Sequence, residues 1–107
     1  MVTIDWERIS NSIRHDATIQ YRYTVENDHC VLGGLAVDYG VALPEGDTNY
    51  WQLTRLTRFR DALSRATGLN TRQLMHMQFL NDEYETVDLR RAALLAWVAG
   101  ERINEEA

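Results

Sequence analysis

The chain has 107 residues, 45% of them hydrophobic, with a formal net charge of -5 and one cysteine. That length supports one core and excludes a two-domain enzyme, and the acidic balance argues against a protein that coats nucleic acid nonspecifically or lies on anionic lipid. A lone cysteine closes no internal disulfide, and no apolar run approaches the ~18 residues of a membrane span.

The start, Met1-Val2-Thr3-Ile4-Asp5-Trp6-Glu7, has acidic residues where a secretion signal has basic and apolar ones, so the expected setting is the cytoplasm, of the host bacterium if a phage encodes the chain. Ile4, Ile9, Ile13 and Ala17 then predict an amphipathic helix over about 4 to 15, capped by Thr3 or Asp5. Ile19, Tyr21, Tyr23 and Val25 alternate with polar residues before Asn27-Asp28. That pattern suits a short strand or extended arm near residues 18–25, which needs a partner to satisfy its backbone.

Cys30 to Gly40 is the stretch around which the rest is organised. Its apolar residues recur in steps of three and four, which predicts a buried central helix closed by Gly40. Gly33 and Gly34 each cost about 1 kcal/mol against alanine inside a helix, so the backbone there is expected to be closely approached. Leu43-Pro44-Glu45-Gly46-Asp47 is a loop, and Thr48 or Asn49 caps a helix whose stripe Leu53, Leu56, Phe59, Leu63 and Ala66 ends at Gly68.

Asn70 and Gln73 have capping-box spacing, with Leu69 and Leu74 placed as a hydrophobic staple, so a further helix is expected over about 71 to 80, broken by Asn81-Asp82-Glu83. Asn81 is expected as the left-handed residue closing that helix, with the Asp82 carboxylate reaching N–H groups of the first turn near Cys30. Val87 to about Ile103 reads as the last helix, with Leu89, Ala92, Ala93, Ala96, Ala99 and Ile103 offered to the core. The expected fold is mainly α, one compact domain over residues 1–107 with four or five helices.

Cys30-Val31-Leu32-Gly33-Gly34-Leu35 and the later Leu80-Asn81-Asp82 carry a resemblance. The chain resembles, over roughly residues 29 to 98, a loose group of small uncharacterised proteins of actinobacteria and their phages with a Cys-x-Leu-Gly-x-Leu element and a distal Leu-Asn-Asp. After Asp82 the match departs, because Glu83-Tyr84-Glu85-Thr86 stands where the group continues with a Phe-Ala-type segment. The resemblance implies a phage or mobile-element accessory protein and supplies no catalytic residue.

Three functions fit these residues. The first is non-enzymatic binding of a host macromolecule, most readily a protein, through Tyr50 and Trp51 beside Arg55, Arg58, Arg65 and Arg72, since aromatics and arginine dominate interface energies. The second is a helix-turn-helix regulator over residues 55–80: Arg55, Arg58, Arg60, Arg65 and Arg72 face a single Asp61, and Asn70 to Gln73 would begin a recognition helix. The third is a hydrolase using Cys30 at a helix N-terminus, although His29, His15 and His76 show no spacing that supplies its base. No metal-ligand spacing occurs among the histidines and Cys30, and no cofactor is expected. The partners expected are a host protein, or DNA under the second reading, with no membrane and with self-association open.

Overall fold

The computed structural model describes residues 2–20, 24, 25, 28–43 and 53–106. Helix α1, Trp6–His15, starts where the Asp5 carboxylate accepts the Arg8 N–H at 3.0 Å, and it buries Trp6, Ile9 and Ile13 on one face. It ends at Asp16, and the chain reverses through Ala17, a residue with φ +61. The alternating segment does reach a partner. β1, Thr24–Val25, pairs antiparallel with β2, Asp28–His29, in the register Thr24 to His29 and Val25 to Asp28. Thr18 extends the connection by donating its backbone N–H to the His29 carbonyl at 2.9 Å.

Helix α2, Val31–Tyr39, is the centre of the molecule. Val31 to Ala36 are all buried, and the helix packs against α1 and against the two helices that follow it, α3 and α4. Gly40 at φ +67 closes it, and the Val41 N–H donates back to the Ala36 carbonyl at 2.8 Å, as a left-handed C-terminal cap requires. The expected close approach is found at Gly34, where an added Cβ would collide with the Cβ, Cγ and Oδ2 of Asp16.

Helix α3, Leu53–Thr67, buries Phe59 and Leu63. Gly68 then turns the chain at φ +83, with the Val2 carbonyl 2.6 Å from where its Cβ would stand. Helix α4, Thr71–Glu83, opens on the anticipated capping box: Asn70 Oδ1 accepts the Gln73 N–H at 2.8 Å and Gln73 Oε1 accepts the Asn70 N–H at 2.9 Å. Leu69 and Leu74 are both fully buried. Helix α5, Val87–Glu106, begins where Thr86 Oγ1 accepts the Leu89 N–H.

Two expectations are corrected. Helix α4 does not break at Asn81 but runs to Glu83, so Asn81 is an internal, fully buried helical residue rather than a left-handed cap. Its side chain satisfies groups on other elements, which a helical side chain can do while its own backbone stays in the helix. Helix α5 buries Arg90, Leu94 and Val98, with Leu95 and Trp97 partly covered, while Leu89, Ala92, Ala96, Ala99 and Ile103 face outward and Ala93 is half-buried. Burying leucine, valine and tryptophan removes more apolar surface from water than burying alanines would, and that decides between the two faces. The Leu43 to Asp47 loop beyond residue 43, the Thr48 or Asn49 cap, Tyr21 and Tyr23 lie outside the described residues.

The core is one cluster drawn from all five helices. Ile9 and Ile13 of α1, Leu32 and Leu35 of α2, Leu63 of α3, Leu74 and Met77 of α4, and Leu94 of α5 are fully buried within it. No helix among the described residues is long and apolar enough to cross a membrane.

Candidate interaction surfaces

Cys30 and Asn81 converge on the start of α2. Cys30 is its N-cap, and Sγ accepts the Gly33 N–H at 3.4 Å. Asn81 Oδ1 accepts the Val31 N–H at 3.0 Å, and Asn81 Nδ2 donates to the Ile19 carbonyl at 2.9 Å and to Asp82 Oδ1 at 3.2 Å. The tertiary cap expected of Asp82 is therefore made by its neighbour Asn81. Cys30 is wholly buried, so its sulfur presents no face to a substrate, and its surroundings suit a small packing residue.

A second polar centre lies under the α1 end. Arg90 is 3% exposed and donates to the carbonyls of Ala17 at 2.6 Å, Glu85 at 3.0 Å and Tyr84 at 3.1 Å. Burial holds its pKa below the ordinary guanidinium value, partly offset by Asp82. Arg91 donates to the Asp16 carbonyl at 2.9 Å, so α5 holds the Asp16-Ala17 turn with two arginines. Burial also raises the Asp16 carboxyl, against lowering by His29, Ser12 and His15. Among the described residues, no three His, Cys, Asp or Glu side chains are grouped so as to hold a metal ion.

Of the residues proposed for binding, Tyr50 and Trp51 lie outside the described residues, and Arg55 lies in α3 with its side chain outside them. Arg58 and Arg65 stand exposed along α3, and Arg72 stands exposed in the first turn of α4. The sequence reading passed over Met75 and Phe79. They are 51% and 59% exposed, one turn apart on α4, and with Arg60, Gln78 and Asp82 they line a shallow hollow of about 230 Å³. The signal was available: once Leu74, Met77 and Asn81 take the buried face, helical spacing turns 75 and 79 outward.

Beside them runs an aromatic row. Phe79 lies 6.3 Å from the His76 ring, His76 stacks on Trp97 at 5.6 Å, and Trp97 meets Trp6 edge-on at 6.3 Å. The first turns of α4 border a wider groove of about 580 Å³ lined by Asn70, Arg72, Gln73, His76, Trp97, Gly100, Glu101 and Asn104. As a recognition helix α4 would offer Arg72 and then Met75 and Phe79, with Asp82 and Glu83 at its far end. That face has one group suited to phosphate and two suited to apolar contact. No family model, no curated protein and no solved structure matches the chain.

Proposed function

We propose that this chain is a non-enzymatic accessory protein of a phage or mobile element, and that it acts by occupying a surface of a host protein with the outer face of α4. The observation that carries the reading is the adjacent exposure of Met75 and Phe79. A flexible thioether and an aromatic ring, bordered by Arg60 and Arg72, match the apolar anchors and cationic rim of a protein interface. The resemblance at Cys30 to Leu35 and Leu80 to Asp82 supports the phage or mobile-element setting. Capture from lysate of the host bacterium, run in parallel with the parent chain and Phe79→Asp, tests it. A protein retained by the parent and lost by a variant with an unchanged melting curve supports the reading, and equal capture by both refutes it.

A helix-turn-helix regulator is the second reading, favoured by exposed Arg72 in the first turn of α4 and by Arg58 and Arg65 on α3. A gel-shift screen at low salt decides it. Retention that Arg72→Glu abolishes, and that weakens steeply with salt, would put DNA ahead of a protein partner.

A further inference from the structure

The outer face of α5 is an apolar stripe that no helix among the described residues covers. Leu89, Ala92, Ala96, Ala99 and Ile103 follow one another at steps of three, four, three and four, the a/d spacing of a helix–helix seam. Leu89 is 57% and Ile103 66% exposed, and the three alanines between them are exposed as well. Gly100 borders the same face inside a helix of 20 residues, and among the described residues nothing lies within 4 Å of where its Cβ would stand. Glycine is the poorest helix former after proline, and this one also lines the groove between α4 and α5 with Arg72 and His76.

We infer that a second copy of this chain covers the face, its α5 antiparallel to the first about a two-fold axis near Ala96. The stripe is large at both ends and small in the middle, so reversing it reproduces it. An isologous pairing then sets the Leu89 end of one copy over the Ile103 end of the other, while the alanines let the backbones approach. Charge selects the direction. Asp88 and Arg102 flank opposite ends of the stripe on the same edge, two heptads apart, and antiparallel pairing brings that edge of each copy together with Asp88 near Arg102 of the other. Parallel pairing places neither opposite its counterpart. Arg102 is half exposed and also reaches Glu7 of α1 at 3.8 Å. Gly100 falls on the opposite edge, where it meets the Ala93 edge of the partner and keeps the approach close.

The inference does not depend on the α4 reading: the two faces share the edge at Gly100, but Met75 and Phe79 lie on α4 and the seam residues on α5. Sedimentation equilibrium of the full chain from micromolar to about 1 mM, the range of weak association constants, tests it. The parent is expected to move from 12.4 kDa toward twice that mass. Ala96→Glu keeps a good helix former and should leave the melting curve in place while abolishing the dimer. Asp88→Arg and Arg102→Asp should each raise the dissociation constant about tenfold, because two-fold symmetry doubles each change, and an equimolar mixture of the two should regain parental affinity. A parent chain monomeric throughout, or a dimer indifferent to Ala96→Glu, overturns the inference. A dimer lost with Ala96→Glu but not restored in the charge-reversed mixture overturns the antiparallel register.

Discussion

Asn81 Oδ1 accepts the backbone N–H of Val31 at 3.0 Å, joining the last turns of α4 to the first residue of α2 across 50 residues of chain. A helix leaves its first N–H groups without intrahelical partners, and Val31 is buried where water cannot serve. Asn81 therefore completes the cap that Cys30 begins from within α2's own sequence.

Asn81→Ala should unpair the Val31 N–H and the Ile19 carbonyl together, at a cost of about 2 to 3 kcal/mol for one buried and one half-buried polar group. Asn81→Asp keeps an acceptor for Val31 but turns a buried carboxylate on the Ile19 carbonyl and the Asp82 carboxylate, so it should cost at least as much as alanine. Asp82→Ala, one residue on, should cost less than either. Urea denaturation of the three variants gives the order, and an Asp82 variant weaker than Asn81→Ala would return the capping role to the carboxylate.

Gly34→Ala should destabilise by about 1 to 3 kcal/mol, the usual range for overpacking, because the new methyl group meets the side chain of Asp16. In an Asp16→Gly background the obstructing atoms are gone and the helix-propensity gain of about 1 kcal/mol remains, so the same change should turn neutral or stabilising. A double-mutant cycle measures the coupling. Equal effects in both backgrounds would mean that the glycine serves some other approach.

What was legible in the sequence follows the range of the interaction involved. The Asn70–Gln73 box, the Gly40 stop and the helical period of α2 are set by residues within one or two turns, and each stands where its spacing placed it. The need for a close approach at Gly34 was readable from the cost of glycine. That Asp16 makes the approach was not, since the two meet only after α1 and α2 pack. The face of α5 was misread because alanine fits either side of a helix. Leu94, Val98 and Trp97 outweigh the alanines, and Arg90 on their side finds the carbonyls of Ala17, Tyr84 and Glu85, the first of which lies far away in sequence. The outward turn of Met75 and Phe79 follows from helical spacing once Asn81 joins Leu74 and Met77 on the buried face, and an asparagine is not expected there from its polarity alone.

Arg90→Ala should be the most damaging single change near the Asp16-Ala17 turn. It strips the donor from the Ala17 and Glu85 carbonyls, leaves Tyr84 with Gln20 Nε2 alone at 3.0 Å, and takes the anchor from the positive-φ Ala17, a loss of about 3 kcal/mol. Arg90→Lys retains the charge but not the fork that reaches three acceptors, so most of the loss should persist. Thermal melts supply the comparison, and a lysine variant matching the parent would show that charge alone matters.

Asp16 should make stability fall as pH rises from acid. Burial lifts its folded-state pKa above the ordinary 3.8, so between the two values the native state holds more protons than the unfolded chain. Stability therefore drops through that window, and the penalty is complete above the raised pKa. Asp16→Asn removes the titration while keeping an acceptor for Ser12, so its advantage over the parent should grow with pH across the window. Denaturant midpoints at a series of acidic and neutral pH values check the slope, and a constant offset between the two proteins would assign the effect to packing.

Cys30 should behave as a structural residue. Its sulfur is buried under α2 and holds the Gly33 N–H, so a thiol reagent should label it only as fast as the protein opens, and urea should accelerate labelling in step with unfolding. Cys30→Ser exchanges a long contact to sulfur for a stronger cap acceptor, but it buries a hydroxyl in a site shaped for a thiol, so a modest loss of about 1 kcal/mol is expected. Partner capture by the folded variant should equal that of the parent. Rapid labelling of the native chain, together with lost function in a Cys30→Ser protein that melts normally, would move a thiol-dependent hydrolase to the front, because a buried cap has no route to either result.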